Sequence, residues 1–283
     1  MECVFADTSN LIASIVDQLK TVPGIEAVVL GGSRARDTHT DASDIDFGIY
    51  YHPASPLDLP VLERVAMEID DDHRKNLVTD IGGWGPWING GGWLKVNGLP
   101  VDFIYRDLDK VTRIINDCRE GRIETVYQPG HPFGFVSGIY LSEVALCRPL
   151  WDSHETIETL KAQVIPYPIR LKMVIIDSFW WEVDFSLGIA RKSVSRGDVV
   201  YASGCCFRAV TCLMQVLFAV NEQYWMNEKG AVALADGFPK SPSHFKERIE
   251  DAFAQLNSSG ISITTTIDLL REIAAECEKW FLE

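Results

Sequence analysis

The feature that most narrows what this chain can fold into is Gly31-Gly32-Ser33, then ten residues, then Asp44-Ile45-Asp46. The apolar run Ile25–Leu30 ahead of it reads as a strand, and so does Ile45–Tyr51, where Ile45, Phe47, Ile49 and Tyr51 alternate with Asp46, Gly48 and Tyr50. The stretch Asp37–Asp41 between them is turn-forming. A Gly-Ser turn directly after a strand leaves backbone N–H groups and a hydroxyl free to cradle phosphate oxygens. Period two then places Asp44 and Asp46 on one face of the next strand, with Cα atoms roughly 6.6 Å apart. Their oxygens can converge, and hard oxygen donors are what Mg²⁺ requires.

A third carboxylate is needed if two cations are to clamp the attacking and leaving oxygens of an in-line displacement, about 3.5–4 Å apart. Asp102 fits, because it lies at the start of an expected strand, Pro100–Arg106, on the face opposite the apolar Val101, Phe103 and Tyr105. From there it could ligate the second metal and take the proton of an attacking hydroxyl.

Around this segment the chain reads as α+β. Asp7, Thr8 and Ser9 cap an amphipathic helix carrying Leu11, Ile12, Ile15, Val16 and Leu19, and Pro23-Gly24 stops it. Leu59–Ile69 and Val111–Cys118 have helical spacing, whereas Gly82–Gly92, rich in Gly and Trp, reads as a hairpin or mobile loop. Past about residue 135 strand signals fade, and helical patterns cover roughly Arg170–Lys192, Val199–Val220, Phe245–Leu256 and Ile267–Phe281. A strand-rich half followed by a helical half predicts two domains, 1–135 and 136–283, with the boundary inside Gln128–Trp151.

Charge narrows the partners. Against 26 Lys and Arg stand 40 Asp and Glu, a net charge of −14, so a long polyanion is repelled and a dedicated nucleic-acid binder is not expected. A cationic small substrate is compatible with that field. The seven cysteines are odd in number and scattered, which gives no disulfide framework and makes a reduced cytoplasmic location the expectation. No charged-then-apolar leader opens the sequence, and the run Phe207–Val220 is broken by Arg208 and Gln215 and falls short of the ~20 residues that span a bilayer, so no membrane partner is expected.

Gly31-Gly32-Ser33-Arg34-Ala35-Arg36, Ser43-Asp44-Ile45-Asp46 and Leu99-Pro100-Val101-Asp102-Phe103 together resemble the nucleotidyltransferase superfamily that includes DNA polymerase β. With a helical second half, the chain is most similar to the aminoglycoside and lincosamide nucleotidyltransferases. The resemblance implies a mixed twisted sheet flanked by helices, followed by a C-terminal helical bundle that helps bind the acceptor. It implies that Gly32, Ser33 and Arg34 hold the triphosphate of ATP or another NTP. Asp44 and Asp46 would ligate Mg²⁺, two ions in all, with Asp102 as third ligand or base. Asn221-Glu222-Gln223-Tyr224 and Asn227-Glu228-Lys229 look like the segment by which related enzymes bring a lysine to the triphosphate, which points to Lys229 with Tyr224 beside it. The position after Arg36 is Asp37, where many members have glycine. The implied partner is a small-molecule acceptor, and a homodimer is compatible with it.

Other residues divide between function and packing. Glu182, on the helix that carries Trp180 and Trp181, could hold a substrate ammonium or hydroxyl, or simply face water. Trp84, Trp87 and Trp93 could stack on a ligand or on one another. The run Asp70-Asp71-Asp72-His73 closes a helix and is read as solvated rather than metal-binding, and His131 as a loop residue. Two rival functions stay open: a protein-AMPylating enzyme of the antitoxin kind, and a non-catalytic nucleotide-binding module.

Overall fold

In the computed structural model, which describes residues 2–281 and the side chains of Thr8 onward, helix α1 spans Glu2–Leu19. It begins ahead of the expected cap, and the Asp7 side chain lies outside the described residues. Its stripe is the expected one, with Ile15, Val16 and Leu19 buried and Leu11 and Ile12 packed against the same core. Strand β1 (Ala27–Leu30) leads into the short helix α2 (Gly32–Ala35), and strand β2 (Ile45–Tyr51) follows. Helix α3 (Leu59–Ile69) is capped by Asp58, whose carboxylate accepts the Val61 N–H at 3.1 Å. Strands β3 (Gly91–Val96) and β4 (Leu99–Asp107) form a hairpin, and helix α4 (Leu108–Arg119) follows. A two-stranded ribbon, β5 (Thr125–Val126) with β6 (Phe135–Val136), precedes helix α5 (Ile139–Leu146). Strand β7 (Arg148–Asp152) and helix α6 (Thr156–Val164) complete this half.

The sheet order is β3-β4-β2-β1-β7, with β2 and β4 parallel and the other neighbours antiparallel, so the sheet is mixed as expected. One face buries Phe47, Ile49, Val101, Phe103 and Tyr105 in a core shared with α1 and α3, where the rings of Phe47 and Phe103 meet edge to face at 6.0 Å. This alternation is the physical origin of the site, because it turns Asp46 and Asp102 to the opposite face. Toward the other end of that face Arg106 is buried, donating to Glu143 of α5 at 2.6 Å through Nε. The Tyr140 hydroxyl donates to the Trp87 carbonyl at 2.8 Å.

The chain divides into two compact units, residues 1–116 with 140–166, and residues 117–139 with 167–283. The division is therefore not a single cut after residue 135. The return of 140–166 supplies β7, which corrects the expectation that strands end before this point. Arg148-Pro149-Leu150-Trp151-Asp152 escapes pattern reading because a sheet-edge strand tolerates proline and needs no strict alternation.

The second unit is helical apart from the β5–β6 ribbon. Helix α7 (Ile169–Ala190) presents Leu171, Ile175, Phe179, Val183 and Leu187 to helix α8 (Val199–Val220), with a 3₁₀ turn (Arg191–Arg196) between them. By length and composition α8 could cross a membrane, but most of it is buried inside the protein as a core helix. Helices α9 (Ala231–Asp236) and α11 (Gly260–Cys277) pack against it, and α10 (Phe245–Ala254) packs against both of them. Helix α11 starts seven residues before the expected Ile267, and Ile263 adds a turn to its buried stripe.

Candidate active site

The phosphate-cradle candidate begins where β1 ends. The Gly31 N–H donates to the Asp46 carbonyl at 2.8 Å, and the chain then turns into α2. Gly32 holds φ +60°, and a Cβ there would fall 1.7 Å from Asp46 Oδ2. No side chain fits this position, for two independent reasons: the left-handed backbone and the carboxylate that lies against it. Gly32 thus sits beside Asp46, with Ser33 next in the chain.

Arg34 has a different task from the expected phosphate contact. It is buried, and its guanidinium donates to the Ser43 carbonyl (2.7 Å through Nη2) and the Asp44 carbonyl (3.0 Å through Nε). A planar fork on two successive carbonyls fixes the backbone immediately before β2 and therefore the departure of Asp44 and Asp46. Asp37, at the position where a glycine was the family expectation, adopts φ +57° and pairs with Arg148 of β7. Asp is among the residues that tolerate this region, so the loop keeps a glycine-like conformation without the glycine.

Asp46 lies directly opposite Asp102 in the parallel β2–β4 register, and Asp44 precedes β2 as an exposed residue. Burial, then the charges of Asp46 and Asp44, push the Asp102 carboxyl up to about 6. The three acids are therefore close enough to repel one another, which is the electrostatic state that a divalent cation relieves. Among the described residues no three Asp, Glu, His or Cys side chains close around one point as a finished metal cage. The donor chemistry of Asp44, Asp46 and Asp102 nevertheless fits a hard cation: all-oxygen, anionic, and open toward the Gly32–Ser33 turn.

Residues 11–124 match the family model described as a nucleotidyltransferase domain. That segment is thus similar to nucleotidyltransferase domains. Residues 136–229 match a domain of unknown function (DUF4037). Among solved structures the chain is similar to a nucleotidyltransferase-like protein from Exiguobacterium sibiricum, with 13% identity, 91% of this chain and 72% of that one covered, and a TM-score of 0.44. No curated protein matches the sequence. The domain match supports nucleotidyl transfer in general, and with it the transferase class.

The remaining expected site residues belong to the second unit. Glu182 of α7 is largely buried and accepts from Arg208 of α8, whose guanidinium also lies 4.7 Å above the Phe133 ring. Its carboxylate is thus already occupied by a cation of its own unit. Tyr224 lies beside Tyr167, ring centroids 4.8 Å apart, and burial raises its hydroxyl above the ordinary range. Lys229 is exposed in the turn before α9, its N–H donating to Asn227 Oδ1 at 3.0 Å. Trp180 meets Phe281 edge to face while Trp181 is exposed, the split that adjacent helical positions impose.

Two relationships in the first unit escape sequence reading. The Arg106–Glu143 pair joins residues 37 apart and carries no motif. Trp93 stands opposite Asp102 in the β3–β4 register, a placement that becomes legible only once the hairpin turn at Asn97-Gly98 is located. The acidic run departs from the solvated face expected of it: Asp70 is buried and binds Arg74 and the Lys95 N–H, and Asp71 accepts from the N–H groups of Asn97 and Gly98 at 2.7 and 2.8 Å.

Proposed function

We propose that the chain is a Mg²⁺-dependent adenylyltransferase that moves AMP from ATP onto a hydroxyl of a small molecule and releases pyrophosphate. An aminoglycoside or lincosamide antibiotic is the acceptor class that the sequence resemblance favours. The observation that carries this reading is the in-register pairing of Asp46 with Asp102 next to the Gly32 turn. A turn suited to phosphate beside paired carboxylates is what transfer at the α-phosphorus requires. In the reaction the acceptor oxygen forms a bond to the α-phosphorus as the α–β bridging P–O bond breaks, and the electron pair leaves with pyrophosphate. Asp102 receives the hydroxyl proton. Gly32 and Ser33 orient the triphosphate, while Asp44, Asp46 and Asp102 are the groups to hold Mg²⁺. When bound, the metal neutralises triphosphate charge and acidifies the attacking hydroxyl.

The test is incubation with α-labelled ATP, Mg²⁺ and a panel of aminoglycosides and lincosamides, following label transfer and pyrophosphate release. Asp44→Ala is expected to reduce transfer a hundredfold or more. Failure of the wild-type chain to label any acceptor, or undiminished transfer by Asp44→Ala, overturns the reading.

A further inference from the structure

The line of residues that crosses the sheet continues past the carboxylates. Trp93 of β3 is opposite Asp102 of β4, Asp102 is opposite Asp46 of β2, and the Asp46 carbonyl is bonded by Gly31. Directly opposed residues on neighbouring strands project from the same face. The phosphate turn, the carboxylates and an indole therefore stand in one row.

Trp93 is 62% exposed although Leu94, the next residue, is buried. It is not loose. The Trp84 ring stacks on it with centroids 4.5 Å apart and planes inclined by 24°. Trp84 is itself seated over Gly91, where a Cβ would lie 2.8 Å from Trp84 Cζ3 and 1.8 Å from the Phe103 carbonyl oxygen. One face of Trp93 is thus covered by Trp84, and the exposed area belongs to its other face and edge. Leaving so large an apolar surface in water is costly, and a fixed, one-sided aromatic surface beside charged groups has the character of a ligand platform.

Resting on the nucleotidyl-transfer reading, the order of the row separates two ligands. The triphosphate belongs at the Gly32–Ser33 end, the attacking hydroxyl at Asp102, and the body of the acceptor therefore extends toward β3. We propose that Trp93, backed by Trp84, is the specificity-determining platform for the acceptor, and that it receives a saturated sugar ring. A pyranose lying flat on an indole sets its axial C–H bonds against the π face and directs its equatorial hydroxyls outward in the plane of the ring. Opposed residues on antiparallel strands have Cα atoms about 4.5–5.5 Å apart. The two side chains rise from neighbouring positions on one face, so a ring over Trp93 can turn a hydroxyl toward Asp102. The competing occupant is the base of the nucleotide, and the experiment separates the two.

The full chain is labelled with 5-fluorotryptophan, and the Trp93 ¹⁹F resonance is assigned with Trp93→Phe. Mg²⁺ with a non-hydrolysable ATP analogue is added first, then methyl α-D-glucopyranoside, kanamycin or lincomycin as sugar-bearing probes. The nucleotide is expected to leave the Trp93 signal in place, and at least one sugar probe to shift it saturably. In calorimetry Trp93→Ala weakens that probe tenfold or more, Trp93→Phe retains most of the affinity, and both keep the nucleotide analogue within twofold of wild type. A Trp93 shift produced by nucleotide alone, or no shift with any sugar probe, overturns the proposal. Saturable sugar binding by a chain that never transfers label from ATP leaves the platform standing and removes the transfer reading, so the two failures are told apart.

Discussion

Asp46 and Asp102 face one another across the parallel β2–β4 pair, and the burial of Asp102 beside two other acids holds its carboxyl at about 6. The geometry that suits a cation also strains the metal-free fold. Like charges on opposed strand positions destabilise a sheet unless something neutralises them.

A measurable stability cost follows. Between about pH 4 and pH 6 folded Asp102 keeps a proton that the unfolded chain has released, so its contribution to stability falls as pH rises through that window. Asp102 is only partly buried, and after discounting for solvent screening the penalty at pH 7 is about 1 kcal/mol. Asp102→Asn is therefore expected to stabilise the chain at pH 7 in EDTA by about that amount while abolishing transfer. Urea unfolding at pH 4.5 and pH 7 checks the sign: the gain should be present at pH 7 and largely gone at pH 4.5. Equal gains at both pH values would remove the electrostatic explanation.

Gly32→Ala tests the turn. The substitution puts a methyl where Asp46 Oδ2 now lies and asks an L-residue to hold φ +60°. The backbone term alone costs about 1–2 kcal/mol, and relief of the clash displaces the Asp46 carboxylate. The expected outcome is a modest loss of stability, read by thermal unfolding, with at least a hundredfold loss of transfer and weakened Mg²⁺ binding in calorimetry. Retention of full Mg²⁺ affinity would show that Asp46 does not need its present position.

The legibility of this protein follows the range of its interactions. β2, α3 and α8 were readable to the residue, because local alternation, a cap or a long apolar run marks each. The Gly-Ser turn and the acids were readable because their chemistry is rare and their spacing short. β7 was not, since its place is set by pairing with β1, more than a hundred residues earlier. The early start of α11 was hidden for a related reason. Ile261, Ile263 and Thr264–Thr266 are weak helix formers, and burial of Ile263 and Thr266 overrides their propensity. Arg34 shows the limit for side chains: its type suggested phosphate, whereas its burial and two carbonyl partners assign it to the loop.

That assignment makes a prediction of its own. Arg34→Lys keeps the charge but replaces a planar fork with a single ammonium, which cannot hold both the Ser43 and the Asp44 carbonyl in the same way. The loop before β2 should loosen, lowering kcat about tenfold and stability by about 1–2 kcal/mol, with KM for ATP little changed. Hydrogen exchange of the Ser43–Ile45 amides offers a direct readout. A large rise in KM for ATP with an unaltered loop would instead return Arg34 to the phosphate.

Asp70 anchors the hairpin that presents both Trp93 and Asp102, and its effect on stability has the opposite pH dependence from that of Asp102. Its carboxylate is buried, accepts Arg74 Nε and the Lys95 N–H at 2.9 Å each, and so ties the end of α3 to β3. The hydrogen bonds from Arg74 hold its carboxyl well below the usual carboxylate range, outweighing burial, with the Lys95 N–H assisting. A depressed carboxyl contributes stability that is fully present above the unfolded value near pH 4 and is lost as pH falls toward the folded one. Asp70→Asn is expected to cost about 2–3 kcal/mol at pH 7, and to flatten the decline of stability between pH 4 and pH 2 relative to wild type. Denaturant melts across that range, with ¹⁹F detection of Trp93, would show whether the hairpin loosens with the loss of this anchor. An unchanged acid limb would mean that other carboxylates, not Asp70, govern acid unfolding.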